Sequence, residues 1–184
     1  TEFIPVSSTA HLKIISEFLG IDDPGMALSA IIQLGSVIAL FYYFRKDFIL
    51  LRRQSAKKYL DLSAHSKLLK SIFIGTIPIV ILGGSIKLFF PYFFDVIFRS
   101  NLSIALVSIL ASTFMYLADN SKKGFKNLKN HNLSDSFLIG LSQSFAIFPG
   151  VSRSGVTIST ALVSGWERGD AARYSFILGI PAIS

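Results

Sequence analysis

Small hydroxyl residues surround a single arginine in the segment Pro149-Gly150-Val151-Ser152-Arg153-Ser154-Gly155-Val156-Thr157. Pro149 and Gly150 interrupt any preceding helix, and Ser152 or Ser154 can cap a new helix that follows. Backbone N–H groups at the start of a helix bind anions, and a guanidinium adds a planar fork of donors that matches phosphate oxygens. The segment therefore predicts a phosphate-binding loop, for which arginine is better suited than lysine.

A second group of reactive side chains lies near the start of the chain. Glu2, Ser7, Ser8 and His11 are close in sequence, and the i, i+3 step from Ser8 to His11 places both on one helix face. A hydroxyl beside an imidazole is the minimum for an activated nucleophile, and a nearby carboxylate can orient the imidazole or hold a metal ion. The alternative is that Ser7 or Ser8 only caps the helix while His11 hydrogen-bonds within a bundle. Burial in a membrane favours the functional interpretation, because ionisable groups are costly there.

The remaining polar side chains give weaker signals. A buried Arg153 requires a partner, which Glu2 or a bound phosphate could supply. Gln143 is explained equally well by a contact with the loop or with a neighbouring helix, and we expect His65 and His131 to be solvated in basic loops. No His, Asp or Glu set has the spacing of a structural metal site, so a divalent ion needs ligands from distant parts of the chain or from substrate phosphates.

The composition indicates a membrane protein. Of the 184 residues, 51% are hydrophobic and only 16% are charged, whereas about a quarter of residues are charged in an ordinary soluble domain. The net charge of +7 comes from bases that lie between apolar runs, which favours membrane topology over nucleic-acid binding. Because the chain begins without Met and ends inside an apolar run, we expect a single transmembrane domain, residues 1–184, truncated at both ends.

Three charge-poor segments are predicted to cross the bilayer, where a span needs about 20 apolar residues. They are residues 26–44, residues 71–86 with an extension to Leu68, and residues 101–118. The connections at 45–70 and 122–129 are rich in lysine and arginine and are predicted to be cytoplasmic by the positive-inside rule. A further span begins at Ala171.

Two other segments predict re-entrant hairpins, which return to the side of the membrane from which they enter. Residues 137–165 enter as far as the proline-glycine break, and residues 1–20 contain half of a first hairpin. Pro5-Val6-Ser7-Ser8-Thr9 resembles Pro149-Gly150-Val151-Ser152-Arg153-Ser154 with one glycine inserted. Charge counting makes the first hairpin enter from outside and the second from inside. We therefore predict an all-α, polytopic membrane protein with an inverted-topology repeat, whose binding site lies near the midplane.

Two long motifs, Thr1 to Leu12 and Gln143 to Thr157, resemble those of the bacterial undecaprenyl-diphosphate phosphatase family, membrane enzymes associated with bacitracin resistance. The spans between the motifs match this family in spacing and character. The resemblance implies a phosphatase that hydrolyses undecaprenyl diphosphate to undecaprenyl phosphate and so recycles the lipid carrier of cell-wall synthesis. It also implies a multi-pass enzyme of the bacterial plasma (inner) membrane, a pocket opening toward the periplasm and a divalent cation, Mg or Ca.

The resemblance further assigns roles to individual residues. Glu2 matches an acidic residue of the first motif and would be catalytic and a metal ligand, while Ser8 would be the nucleophile and His11 its acid/base partner. Arg153 would act in catalysis on the diphosphate, which would be bound by Ser7, Ser152, Ser154, Gly155 and Thr157. Ala10 replaces a common glycine, and the family's acidic or amide residue one turn before Glu2 falls outside this chain.

Two mechanisms and two functions stay open at this stage. Ser8 attacks the terminal phosphorus after giving its proton to His11, or water attacks with His11 or Glu2 as the base. The alternative function is a polyprenyl-phosphate flippase or transporter, because inverted repeats with broken helices are also transporter architecture. The expected partners are a polyprenyl diphosphate lipid and the bilayer, with no nucleic acid, and a homodimer is left open.

Overall fold

The computed structural model describes residues 3–21, 25–45, 62–90, 98, 100–121 and 124–183. Within these residues the chain is helical, with one isolated β-bridge between Lys126 and Trp166. The α-helices are α1 (Ser8–Phe18), α2 (Gly25–Tyr43), α3 (Leu62–Phe89), α4 (Asn101–Asp119), α5 (Leu133–Ser144), α6 (Arg153–Val163) and α7 (Arg168–Ile183), and a 3₁₀ helix, Phe145–Ile147, follows α5. The all-α prediction is confirmed for this part of the chain.

Two of these helices are long and apolar enough to cross a membrane. Among the described residues, the candidate spans are Ser66–Ile86 within α3 and Asn101–Asp119, and Ile31–Tyr43 of α2 is a shorter apolar segment. Large side chains on both spans are exposed, as in Phe73 at 71% and Leu110 at 70%. An apolar surface of this extent is compatible with a membrane protein, because hydrocarbon solvates such side chains better than water does.

The observed helix bounds differ from the predicted spans mainly where basic residues occur. α3 begins at Leu62 and not at 71, so part of the connection that we assigned to the cytoplasm is helical, including the position of His65. α5 begins at Leu133 and not at 137. Lysine, leucine and serine are compatible with a helix, so α3 and α5 each begin several residues before the apolar run. Pro78 is accommodated inside α3, as expected.

α3 and α5 approach each other through glycines. A Cβ added to Gly140 of α5 would lie 2.6 Å from the Cα of Gly75 on α3, so the two backbones meet without side chains between them, as small residues allow in membrane bundles. Beside this contact lies a core cluster from α5, α6, α7 and the α6–α7 connection, formed by Ile139, Ala161, Trp166, Ala171, Tyr174 and Leu178. Among the described residues this cluster belongs to the second half of the chain, and a second cluster joins α2 to α7 through Val37, Leu40, Phe44, Ile177 and Ile180.

The segments before α5 and after α6 are held side by side. The Lys126 N–H donates to the Gly165 carbonyl at 2.9 Å, and the Glu167 N–H donates to the Lys126 carbonyl at 2.8 Å. The Lys126 ammonium also pairs with Asp135 at 2.9 Å. α6 contains 11 residues, so the turn between α5 and α6 lies about 16 Å from these joined ends.

His131 is buried, and the prediction that it is solvated is wrong. Its Nε2 lies 2.6 Å from the Ser71 hydroxyl and its Nδ1 lies 3.0 Å from the Leu128 carbonyl. A carbonyl oxygen only accepts, so Nδ1 carries a proton. The Ser71 hydroxyl also donates to the Lys67 carbonyl at 2.8 Å. The ring packs against Trp166, with 5.0 Å between centroids. Burial, and then the ammonium of Lys67, lower the pKa of His131 below its ordinary value.

Candidate active site

The turn that precedes α6 is fixed against α4. Ser152 is the N-cap of α6, and its hydroxyl accepts from the Gly155 N–H at 3.2 Å. Gly150 has a φ of +103°, and a Cβ there would lie 2.8 Å from both the Ile104 carbonyl and the Ser108 hydroxyl. Only glycine combines this left-handed conformation with so close a contact. Ser108 also donates to the Gly150 carbonyl at 3.2 Å, so α4 positions the turn on which α6 begins.

The guanidinium of Arg153 points toward α7. Its two Nη atoms are buried, and a Cβ added to Gly179 would overlap Nη1 and lie 3.0 Å from Nη2. Gly179 therefore leaves the space that the guanidinium occupies. One turn along α6, the Thr157 hydroxyl lies 2.6 Å from the Ser175 hydroxyl. The sequence analysis missed Ser175 and Gly179, whose small size in an apolar run was their only signal.

Ser154 joins this loop to the start of the chain. Its hydroxyl donates to the Ile4 carbonyl, 150 positions earlier, at 3.4 Å, and lies 3.4 Å from the Ser152 hydroxyl. Phe3 packs edge-on against Phe176 of α7, with 5.7 Å between ring centroids. The segment before α1 therefore contacts both α6 and α7, and the two motifs that the sequence analysis singled out meet in one place.

α1 begins with the same kind of cap as α6. The Ser7 hydroxyl accepts from the Ala10 N–H at 3.3 Å, which leaves Ser8 as the first helical residue. His11 is exposed, and its Nδ1 lies 2.8 Å from the Ser7 carbonyl. Because the carbonyl only accepts, Nδ1 carries the proton and Nε2 is the basic nitrogen. Glu2, the carboxylate predicted for this site, lies outside the described residues.

The two helices also match at their C-terminal ends. α1 and α6 each have 11 residues, and each ends two residues before a glycine with positive φ, +65° at Gly20 and +85° at Gly165. The residue after each glycine donates back into the helix, from Ile21 at 2.9 Å and from Trp166 at 3.0 Å. These bonds are those of a Schellman motif. The structure thus extends the short sequence repeat to residues 6–20 and 151–165.

Gln143 of α5 is fully buried, and neither polar atom of its amide has a hydrogen-bond partner among the described residues. Leaving a buried polar group without a partner costs about 1–3 kcal/mol, so packing alone does not account for a glutamine here. The neighbouring Ser142 reaches the Val156 carbonyl of α6 at 3.5 Å. The two contacts that the sequence analysis weighed for Gln143, with the loop or with a neighbouring helix, are both absent from this part of the chain.

A metal site is not formed by the described residues alone. Among them, no group of three or more His, Cys, Asp or Glu side chains could hold a metal ion. The hydroxyls of the loop are oxygen donors, but the arginine beside them repels a cation. The Mg or Ca site therefore stays a prediction, and Glu2, its predicted ligand, lies outside the described residues.

These features define a class: a protein that is helical in its described residues, has two helices long and apolar enough to cross a membrane, and joins the segments at the starts of two matched helices through a hydrogen bond. The family model described as Bacitracin resistance protein BacA matches residues 1–184, and the chain belongs to this family. The undecaprenyl-diphosphatase of Prochlorococcus marinus strain MIT 9301 is 73% identical over 184 residues, which is 100% of this chain and 69% of that relative. The undecaprenyl-diphosphatase of Synechococcus sp. strain RCC307 is 44% identical over 187 residues, covering 100% of this chain and 65% of the relative. The resemblance identified in the sequence is confirmed.

Proposed function

We propose that this protein is an integral membrane phosphatase that hydrolyses undecaprenyl diphosphate to undecaprenyl phosphate and inorganic phosphate, recycling the cell-wall lipid carrier. Membership of the BacA family and relatives named undecaprenyl-diphosphatase support this reaction. The structural observation that carries the proposal is the hydrogen bond from the Ser154 hydroxyl to the Ile4 carbonyl. This bond brings together the starts of α1 and α6, where helix N-termini and Arg153 can face one anion.

The directions of α1 and α6 support the inverted-topology repeat with two re-entrant hairpins. The Asn101 amide, at the start of α4, donates to Glu17 near the end of α1 at 3.1 Å. Arg168, just after α6, pairs with Asp119 at the other end of α4. α4 has 19 residues and is therefore about 28 Å long. The two helices run from a shared level toward opposite ends, and in a hydrocarbon core about 30 Å thick that level is near the midplane.

The distribution of charge supports an orientation in a bacterial plasma membrane. Bases gather at the end of the bundle where α3, α5 and α7 begin, among them Lys67, Lys126, Lys129, Arg168 and Arg173. This end would lie in the cytoplasm, because positively charged connections stay there. α1 leads from the site to the opposite end, so the site would open toward the periplasm.

In the proposed mechanism Arg153 holds two oxygens of the diphosphate in its planar fork and stabilises the charge that develops on the transferred phosphoryl group. The loop formed by Ser152, Ser154, Gly155 and Thr157 surrounds the diphosphate together with Ser7. Ser8 attacks the terminal phosphorus and gives its proton to Nε2 of His11, while the phosphoanhydride bond breaks and undecaprenyl phosphate leaves. The His11 imidazolium passes this proton to the leaving phosphate or to solvent. The neutral ring then takes a proton from the water that attacks the phosphoserine, which releases inorganic phosphate and restores Ser8. Direct attack by water, with His11 or Glu2 as the base, is the second route.

A divalent cation, Mg or Ca, belongs to the same proposal. Glu2 and the phosphate oxygens would hold it, since hard cations take oxygen ligands and often share them with substrate phosphates. When bound, it would neutralise charge on the diphosphate.

The decisive experiment measures phosphate release from undecaprenyl diphosphate by the purified full-length protein in detergent, with and without EDTA. We expect release that EDTA suppresses and that both Ser8→Ala and Arg153→Ala abolish. Ser112→Ala and Arg45→Ala are matched controls, because both residues are exposed and outside the site. If folded protein supplied with Mg or Ca releases no phosphate, the protein is not this phosphatase, and a flippase or transporter becomes the better assignment.

The two chemical routes are separated by rapid quenching. A phosphoserine at Ser8 that forms and decays at the rate of turnover would establish covalent catalysis. Its absence at every quench time, in protein that turns over, would assign the attack to water.

A further inference from the structure

An apolar cavity of about 590 Å³ lies between α4, α5, the 3₁₀ helix and α6. Its walls include the aromatic rings of Phe98, Phe114, Phe145 and Phe148. Among the described lining residues, two have polar side chains, Ser142 and Thr160. The Ser142 hydroxyl donates to the carbonyl of Ile139 at 2.7 Å. The cavity has a size typical of ligand sites, which run from about 300 to 1,000 Å³, and its lining suits hydrocarbon and not an ion.

The cavity begins where α6 begins. Val151, which precedes the N-cap Ser152, lines it, and so do Val156 and Thr160. Ser152, Val156 and Thr160 follow one another at four-residue steps and therefore share one face of the helix. Arg153 lies on the neighbouring face, toward α7. α6 thus has the apolar cavity on one face and Arg153 on the neighbouring face, and both faces begin at the N-terminus of the helix.

We infer that this cavity binds the isoprenoid chain of the substrate next to the diphosphate. The inference rests on the proposed function, because a polyprenyl diphosphate joins a long hydrocarbon to the group that Arg153 would hold. With the diphosphate at the N-terminus of α6, the first isoprene units lie against Val151 and Val156. The rest of a C55 chain continues into the bilayer, since the cavity lies beside exposed side chains such as Leu110.

Binding of the isoprenoid chain in the cavity should contribute more to substrate selectivity than to substrate affinity. Lipid tails are as apolar as the cavity walls, so moving the chain from bilayer to protein gains little from the hydrophobic effect. The fit of branched isoprene units between rings and β-branched side chains instead orients the substrate and discriminates against straight acyl chains. Filling the cavity should therefore reduce use of the long substrate while a substrate with almost no chain is unaffected.

A pair of alanines on α4 allows a matched test. Ala111 lines the cavity, whereas Ala105 is an exposed residue of the same helix outside the lining. In Ala111→Trp we expect kcat/KM for undecaprenyl diphosphate to fall by roughly tenfold or more, as for other changes of pocket shape. Hydrolysis of a C5 prenyl diphosphate should stay within about twofold of wild type, and Ala105→Trp should change neither rate. Ala111→Leu serves the same purpose if tryptophan prevents folding.

Binding is measured independently of hydrolysis with a photoreactive C55 polyprenyl phosphate. We expect crosslinks to the cavity-lining parts of α4 and α6, blocked by Ala111→Trp, retained in Ala105→Trp, and displaced by undecaprenyl phosphate but not by excess phosphatidylglycerol. Displacement by the phospholipid would make the cavity a general lipid site and overturn the inference, as would an equal loss of activity on both substrates in folded Ala111→Trp. If the wild type hydrolyses neither substrate, the proposed function fails, and the crosslinks still decide whether the cavity holds the chain.

Discussion

α1 and α6 are built alike but packed differently. Each has 11 residues, a serine N-cap and a glycine in the left-handed conformation after its last turn. α6 nevertheless buries Ser154, Gly155, Val156, Thr157, Ser159 and Ala161, whereas α1 buries only Ala10. The same local design therefore gives a core helix in one place and a largely exposed helix in the other. Capping residues determine where each helix begins and ends, while the helices packed against it determine how much of it is buried.

The difference fits the chemistry proposed for each helix. Arg153 is the first residue of the buried helix, where surrounding elements hold its guanidinium in one direction and the low dielectric strengthens its pull on an anion. Ser8 is the first residue of the exposed helix, and His11 follows on the same side. The comparison is consistent with the proposed roles, recognition for α6 and reaction for α1. Four changes test the role of Arg153 and the way the helices are held.

The largest effect is expected from replacing the first residue of the buried helix. Arg153→Lys keeps the charge but loses the planar fork, so we expect kcat/KM for undecaprenyl diphosphate to fall by roughly 10²–10³, as when an oxyanion donor is removed. Arg45→Lys, at an exposed position, should stay near wild type. Turnover of Arg153→Lys within a few-fold of wild type would remove Arg153 from the proposed recognition role.

The second change concerns Gly150, the residue that is inserted in the second motif. Gly150→Ala forces a Cβ onto the Ile104 carbonyl at a φ of +103°, and we expect the free energy of unfolding to fall by about 2–4 kcal/mol. Denaturant titration in detergent measures this. Gly35→Ala is the control, because a Cβ there meets nothing within 4 Å and alanine favours the helix. If Gly150→Ala has the same free energy of unfolding as the wild type, the turn is not held against α4.

The third change tests the buried His131, whose contact with Ser71 holds the segment before α5 against α3. The pKa of His131 is lowered by burial and by Lys67, so the unfolded chain takes up a proton more readily than the folded chain. The free energy of unfolding should therefore be greatest above the ordinary histidine pKa of about 6.5 and fall as the pH drops below it. Thermal unfolding between pH 8 and pH 5 should show this loss, and His131→Gln should lessen it. Lys67→Met should reduce this loss of stability less than His131→Gln does, because burial is the larger cause of the lowered pKa. Equal slopes of the unfolding free energy against pH in wild type and His131→Gln would contradict the assignment.

The smallest effects sharpen the comparison at the C-terminal ends. Gly20→Ala and Gly165→Ala each place a Cβ at positive φ, at +65° and +85°, with nothing within 4 Å. The cost is then conformational only, and we expect about 1 kcal/mol of unfolding free energy at each site. A difference between the two variants much larger than about 0.5 kcal/mol would show that the ends of α1 and α6 are not equivalent.

Much of the helix pattern could be predicted, because it depends on neighbouring residues. The predicted spans at 26–44 and 101–118 correspond to Gly25–Tyr43 and Asn101–Asp119, and the break at Pro149 was expected. The start of α3 was placed too late because nothing in the basic segment stops a helix. Burial of His131 was missed because a lone histidine between lysines and asparagines has the composition of a solvated loop.

Sequence alone determined the caps, the breaks and the apolar spans of this protein. A serine hydroxyl reaches an N–H three residues away, and a glycine just after a helix takes positive φ at no steric cost, so both effects are local. Only the tertiary structure decided that Ser154 meets the Ile4 carbonyl, that Gly179 leaves room for Arg153 and that Ser71 pairs with His131. Those contacts depend on which helices pack side by side, and residues so far apart in the chain share no periodic pattern from which their contact could be inferred.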